Sequence, residues 1–200
     1  STSQGTDTFD GIEGVIGGTG NDTLIGSDVE NTLIGNLGND TLIGAGTTNG
    51  GGIDYIDGGA GIDFVSFSDN SSGINIDLSN LNAQDTDGAF GNDLIIKNIE
   101  NAEGSLGSDS IIGNASDNIL KGLDGNDTIF ASNGNDIIYG GNELTDTGID
   151  TVDYSLQSKV VIDLNNITQV TKLDGSSDTL YGIENIVASD DDDTIIGDSS

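Results

Sequence analysis

A large apolar side chain returns along this chain at almost every ninth position, in short apolar clusters set between glycine-rich polar segments. Leu24, Leu33 and Leu42 are nine apart, and Ile56 and Val65 resume the series after five extra residues. Ile111, Leu120, Ile129 and Ile138 repeat it, and Val152 follows a second insertion of five. No stretch carries the 3.6-residue period of an amphipathic helix. One inward-facing side chain in an x-U-x triplet, with U large and apolar, predicts a short strand in every repeat. The segments between are glycine-rich. Gly17–Ile25 reads GGTGNDTLI, Gly35–Ile43 GNLGNDTLI, Gly58–Ser66 GGAGIDFVS and Gly122–Phe130 GLDGNDTIF. Their shared frame is G-G-x-G-x-D-x-U-x, and a fixed period of this kind marks a parallel β-coil. Two nonads close one 18-residue winding, so turns 18 residues apart stack at the spacing of neighbouring strands, about 4.8 Å. The predicted fold is all-β: a right-handed parallel β-roll (β-solenoid) with two nonad arrays, β-rich connectors and almost no helix.

A longer repeat overlies the short one. Shifted by 87 residues, Gly17–Ile25 falls on Gly104–Ile112, Asp40 on Asp127, Asp63 on Asp150 and Ile12-Glu13 on Ile99-Glu100. The first long unit, 1–103, then comprises an N-terminal connector strand, a nonad array over 17–66 and a connector over 67–103. The second, 104–187, comprises an array over 104–153 and a connector over 154–187, and residues 188–200 open a third array. Each connector has an alternating strand, Ile74, Ile76 and Leu78 in one and Val160, Ile162 and Leu164 in the other, which reads as half-buried. The polar run from Asn80 to Asn92 reads as a loop or lid. Stopping inside a third array is expected of a piece of a longer repeat region.

Charge changes the picture. The 200 residues hold 35 Asp and Glu against 4 basic residues, a formal net charge of -31. Such a chain repels nucleic acid and anionic membranes and attracts cations. Low hydrophobicity with high charge predicts disorder. The periodic apolar residues make that conditional: disordered without a counter-cation, ordered with one. There is no Cys, His, Met, Trp or Pro. Disulfides, Cys/His zinc sites and the His-dependent triads and metalloprotease motif are therefore excluded. No apolar run is long enough for membrane insertion, and no N-terminal secretory signal is visible. No base or nucleophile is poised for catalysis, so the chain is not expected to be an enzyme.

The chemistry this pattern suits is calcium binding. Glycines let the turn tighten so that its carbonyls point inward, and the sixth residue adds a carboxylate. Stacked windings then present oxygens to one another. Calcium accepts six to eight oxygens in irregular cages, whereas magnesium demands a strict octahedron. The candidate ligands are Gly17, Thr19, Asn21 and Asp22; Gly35, Leu37, Asn39 and Asp40; Gly58, Ala60, Ile62 and Asp63; Gly104, Leu106, Ser108 and Asp109; Gly122, Asp124, Asn126 and Asp127; and Asp150. On the other side stand Asp54, then Asn133, Asn135 and Asp136. That side is weaker, because Asn31 and Asn118 occupy the Asp position and Val29 and Ser116 the fourth-position Gly. Within the acidic run Asp190–Asp193, Asp193 alone keeps the nonad register and the rest read as solvated. Two good sites and one poorer site per array give roughly six calcium ions in all. One apolar residue per repeat makes too thin a core to offset the entropy of ordering so many glycines. Metal binding and folding should then be one event.

Other features carry less. Asp85-x-Asp87-Gly88 lacks the distant Glu of a calcium loop and reads as a plain loop. Phe64, Phe67, Tyr139, Tyr154 and Tyr181 are expected to pack the ends of the roll rather than to stack on sugars. Thr23, Thr32 and Thr41 align at the seventh position, as an ice-binding rank would, but Ile119 and Ile137 break the rank in the second array.

These nonads resemble the RTX (repeats-in-toxin, hemolysin-type) calcium-binding β-roll of toxins, serralysin-like proteases, alginate epimerase modules and giant bacterial adhesins. The connectors resemble those between nonad blocks of large secreted bacterial proteins, including the D-x-L-x-x-I-E-N run of Asp178–Asn185. The resemblance implies calcium binding, type I secretion and folding outside the cell, in a secreted or cell-surface protein. The expected function is a calcium-binding structural module of an adhesin or surface protein. The alternative is a non-catalytic accessory module of a secreted enzyme such as an alginate epimerase or protease, and a polysaccharide-binding module ranks below both. An extracellular polysaccharide or cell-surface ligand would be met through the parent protein. The acids at Asp190–Asp192, where glycine is expected, and the Asn31 and Asn118 positions depart from the family pattern.

Overall fold

The computed structural model describes residues 12–27, 29–44, 54–85, 94–141, 148–166 and 168–197. The first array forms β1 (Gly14–Ile16), β2 (Thr23–Ile25), β3 (Thr32–Leu37), β4 (Thr41–Ile43), β5 (Asp54–Ala60) and β6 (Phe64–Ser66). The first connector adds β7 (Asn75–Asp77), β8 (Leu94–Lys97) and β9 (Asn101–Glu103). The second array gives β10 (Ser110–Ile112), β11 (Ile119–Leu123), β12 (Thr128–Phe130), β13 (Ile137–Gly141) and β14 (Thr151–Asp153). The second connector gives β15 (Val160–Asp163), β16 (Gln169–Lys172), β17 (Ser177–Tyr181) and β18 (Asn185–Val187), and β19 (Thr194–Ile196) follows. One 3-10 turn, Leu164–Asn166, is the only helix among the described residues.

A ten-stranded sheet, in the order β2-β4-β6-β9-β11-β13-β17-β16-β15-β19, forms one wall of the roll. A four-stranded sheet, β1-β3-β5-β8, lies against its first half, and a five-stranded sheet, β7-β10-β12-β14-β18, against its second. Pairing is parallel wherever nonads stack. Thr23 pairs with Thr41 and Ser110 with Thr128, each 18 residues on. Thr41 pairs with Phe64 and Thr128 with Thr151, so each five-residue insertion leaves the strand register undisturbed. The predicted apolar ladder is buried throughout, from Leu24, Leu33, Leu42, Ile56 and Val65 to Ile111, Leu120, Ile129, Ile138 and Val152.

The connectors continue the coil. β9 pairs with β6 on one side and β11 on the other. Ile74, Ile76, Leu78, Val160 and Ile162 join the same core, while the side chain of Leu164 lies outside those described. The first connector places β7 and β8 consecutively on the wall of the shorter sheets. This shifts the phase, so the Asp22, Asp40 and Asp63 turns feed the long sheet and the Asp109, Asp127 and Asp150 turns the five-stranded one. Gln84 joins the two shorter sheets. Its backbone exchanges hydrogen bonds with Leu94 of β8. Its side chain accepts from the Asp77 N–H (2.8 Å) and donates to the Asp77 carbonyl (3.2 Å) on β7. Buried, it serves β7 as a substitute peptide group. Gln84→Ala strands the Asp77 N–H, while the Asp77 carbonyl keeps the Asn80 N–H (3.2 Å), and is expected to cost about 1–3 kcal/mol in denaturant unfolding of the calcium-loaded chain.

Three expectations change. Successive nonads alternate between walls, so Thr32 stands in the four-stranded sheet while Thr23 and Thr41 stand in the long one, and they form no single rank. Tyr139 and Tyr181 do not pack a roll end. They are register partners on the outer face of the long sheet, with ring centroids 4.9 Å apart, whereas Phe67 and Tyr154 enter the core. The described part of the polar run, residues 80–85, includes the pairing of Gln84 rather than a free lid, and Asp87 and Gly88 lie outside the described residues.

Candidate metal sites

Each nonad turn delivers its Asp just before a three-residue strand segment, so strand pairing also stacks the aspartates. Along the long sheet, the Asp22 N–H donates to Asp40 Oδ1 (2.8 Å) and the Asp40 N–H to Asp63 Oδ1 (2.7 Å). The Asp63 N–H then donates to Glu100 Oε2 (2.9 Å). Farther along, the Asn118 N–H donates to Asp136 Oδ1 and the Asp136 N–H to Asp178 Oδ1, both at 2.9 Å. The five-stranded sheet carries a parallel column. There Ile74 donates to Asp109, Asp109 to Asp127, Asp127 to Asp150 and Asp150 to Glu184, at 2.8–2.9 Å. In the four-stranded sheet the Asn31 N–H donates to Asp54 Oδ1 (2.7 Å). Asp193, at the far end, accepts from the Val160 N–H (2.8 Å) and the Ser189 hydroxyl (2.6 Å).

From Asp40 onward one oxygen of each stacked carboxylate thus holds the adjacent winding, and the other decides the chemistry. Asp22 Oδ2 accepts the N–H of Gly18, and Asp109 Oδ2 that of Ser105, both at 2.6 Å. At Asp40 and Asp63 the second turn residues, Asn36 (φ 78°) and Gly59 (φ 99°), are left-handed, and no such bond forms. Asp40 Oδ2 and Asp63 Oδ2 are buried with no hydrogen-bond partner. An ionised oxygen in that position is costly unless a cation neutralises it.

The first glycine explains how other oxygens reach this point. A Cβ on Gly17 would lie 2.6 Å from the Gly35 carbonyl oxygen and 2.7 Å from Asp22 Oδ2. A Cβ on Gly35 would collide with Asp40 Oδ2 and the Gly58 carbonyl, and one on Gly58 with Asp63 and the Asn98 carbonyl. Gly104 and Gly122 repeat the arrangement with Asp109 and Asp127. The missing Cβ lets a carboxylate of one winding and a carbonyl of the next crowd one spot. Among the described residues no three acidic side chains form a cluster that could hold a metal ion alone. Carboxylates stack one winding on the next, so a cation held between them would have to draw its remaining oxygens from carbonyls. An all-oxygen set of this kind, in a chain without His or Cys, fits calcium.

The remaining predicted residues fall into place around these columns. Thr19, Leu106 and Asp124 lie in the turns, while Leu37 and Ala60 end β3 and β5 as register partners, and the Ala60 carbonyl already accepts the Gly38 N–H (3.0 Å). At the fifth position side chains form a second ladder. Asn21 Oδ1 accepts the Asn39 N–H (2.9 Å), Asn39 that of Ile62 (3.1 Å), Ser108 that of Asn126 (3.1 Å) and Asn126 that of Ile149 (2.8 Å). Asn135 likewise accepts from Ser177 (3.0 Å), and Asn133 precedes it in the Asp136 turn. Glu100, Glu184 and Asp178 take sixth-position places that the nonad frame does not reveal. The repeated Ile-Glu-Asn string is the only sequence signal of the two glutamates, and Asp178 is marked only as the first residue of the D-x-L-x-x-I-E-N run. At Asn118 a neutral amide does the work of the carboxylate: Oδ1 accepts the Asn114 N–H (2.9 Å) and Nδ2 donates to the Glu100 carbonyl (2.6 Å).

Burial pushes the carboxyl groups of Asp63, Asp109 and Asp178 above their ordinary range. Asp136 is raised to about 6, by burial first and the nearby Asp178 carboxylate second. A raised folded-state pKa means that the metal-free fold binds more protons than the unfolded chain between the ordinary carboxyl value and the raised one. Its stability therefore grows as pH falls through that window and is lost as pH rises. Calcium-depleted protein is expected to gain β-sheet signal in far-UV circular dichroism between pH 7.5 and pH 5, while calcium affinity weakens over the same interval.

The sequence profile of the RTX calcium-binding nonapeptide repeat (4 copies) matches residues 16–47, 48–66, 99–122, 112–143 and 178–200. These segments span more than half of the chain, which belongs to this family of calcium-binding repeats. No curated protein gave a significant match. The all-β coil is thus a β-roll of RTX repeats, and the chain is a calcium-binding repeat module. Among the described residues no helix is long and apolar enough to cross a membrane.

Proposed function

We propose that this chain is a structural module of an extracellular or cell-surface protein, exported unfolded and set into shape by calcium outside the cell. Its long units, 1–103 and 104–187 with a third opening at 188, are then the repeating elements of a stalk or spacer, and catalysis is no part of their role. The observation that carries this reading is the buried, unpartnered Oδ2 of Asp40 and Asp63, each beside a carbonyl of the next winding. Such a site gains most from a divalent cation and offers nothing to a covalent reaction. The Asp22–Asp40–Asp63 and Asp109–Asp127–Asp150 columns, with the first, third and fifth turn carbonyls, are the proposed ligands. Extracellular modules bind calcium with dissociation constants of about 10⁻⁴–10⁻³ M, matched to calcium outside cells. Titration calorimetry on the 200-residue chain tests the reading. Roughly six calcium ions should bind in that range, with magnesium failing to substitute. Heats for magnesium equal to those for calcium would exclude it.

A further inference from the structure

All four basic residues are lysines, at 97, 121, 159 and 172, and Lys172 alone is buried. It sits on β16, the strand that runs antiparallel between β15 and β17. Its Nζ donates to Asp178 Oδ1 (2.6 Å), to the Ser132 carbonyl (2.7 Å) and, at 3.4 Å, to Asp136 Oδ2. An ammonium has three N–H donors, and here three oxygens receive them.

Asp136 and Asp178 are successive rungs of the long-sheet column, in the same relation as Asp40 and Asp63. Their surroundings differ at every oxygen. Asp178 Oδ1 takes the Asp136 N–H and the ammonium, and Oδ2 takes the Tyr154 hydroxyl (3.0 Å). Asp136 Oδ1 takes the Asn118 N–H, and Oδ2 takes the Ser132 hydroxyl (3.2 Å) and the ammonium. No oxygen of this pair is left bare, whereas Asp40 Oδ2 and Asp63 Oδ2 are. The Ser132 carbonyl, at the second position of the Asp136 turn, completes the ammonium's set of acceptors. Burying a lysine costs several kcal/mol unless it is fully paired, and this one is paired on both carboxylates of a cation turn.

We propose that the Lys172 ammonium stands in for calcium in the Asp136–Asp178 turn, making it a built-in clamp that excludes the metal. The proposal rests on the reading that the other stacked aspartate turns take calcium. β16 is the device that delivers the cation. Running antiparallel between β15 and β17, it lays Lys172 into the turn.

Terbium, which occupies calcium sites and emits when a neighbouring tyrosine is excited, tests the proposal on the whole chain. Tyr154 lies against Asp178, so a metal in this turn would be sensitised by it. Tyrosine-excited Tb³⁺ emission is expected to be unchanged in Tyr154→Phe at saturating Tb³⁺. A fall of a third or more would place a metal beside Tyr154 and overturn the clamp. Tb³⁺ binding to neither protein would instead defeat the calcium reading itself. Should the variant fail to fold, the wild-type chain answers by ¹⁵N NMR of its lysine ammonium groups. A locked Lys172 gives a slowly exchanging NH₃⁺ signal in the metal-loaded protein, and an ammonium exchanging as fast as those of Lys97, Lys121 and Lys159 contradicts the proposal.

Discussion

Gly35→Ala is expected to destabilise the calcium-loaded roll at or above the upper end of the usual overpacking range of about 1–3 kcal/mol, while Gly20→Ala is expected to be harmless. The two glycines lie close in the same column of turns but meet different surroundings. A Cβ on Gly35 would strike Asp40 Oδ2 and the Gly58 carbonyl. The first could rotate only by giving up the stacked position that makes the site. The second is backbone, fixed by the pairing of β3 with β5. A Cβ on Gly20 would meet nothing within 4 Å, and its φ is not left-handed. Alanine there restricts the unfolded chain and can add about 0.4–1 kcal/mol. Denaturant unfolding of both variants in excess calcium separates the outcomes. Equal losses would mean that glycine serves the turn only through backbone freedom.

Asp63→Asn is expected to act with opposite signs in the two metal states. Asp63 holds the column through Oδ1, which accepts the Asp40 N–H, and an amide oxygen can keep that bond. Its Oδ2 is the bare buried atom, with a pKa raised by burial and by the charges of Asp40, Glu100 and Asp57. Replacing it with an amide removes a charge that the metal-free coil has to bury. The calcium-free chain should therefore become easier to order, as at Asn118, where the amide satisfies its neighbours without an ion. With calcium the same change removes a ligand charge, and affinity in this column should fall roughly tenfold or more. Calorimetry and far-UV circular dichroism on one variant read both signs. A variant that binds calcium as tightly as the parent would remove Asp63 from the ligand set.

The strand ladder was legible because the pattern is local. The eighth position of every nonad is large and apolar whereas its neighbours vary, which marks the inward face, and the 18-residue winding follows from two nonads per turn. The aspartate columns were legible for the same reason. What escaped was everything in which the chain leaves the period. Glu100, Glu184 and Asp178 are rungs separated from their partners by 34 to 42 residues, so no fixed spacing points to them. The change of wall between the two arrays depends on β7 and β8 lying on the same side, and no residue in the connector announces this. Gln84 reads as one more polar residue in a polar run, and its role exists only once β7 and β8 become edges. Lys172 lies on a strand whose antiparallel course breaks the rule that governs the rest, so its reach to Asp136, 36 residues away, has no sequence signature. The alternation of walls also dissolved the threonine rank, because seventh positions of successive nonads face opposite ways.

The central claim is that stacked carboxylates of successive windings are held together by calcium and that the chain keeps no lasting fold at neutral pH without it. Far-UV circular dichroism of the 200-residue chain at pH 7.5, recorded in excess chelator and again after calcium is restored to millimolar excess, tests it most directly. A coil-like spectrum in chelator that converts to a β-sheet spectrum with calcium is the predicted result. The same β-sheet spectrum in both solutions would contradict it.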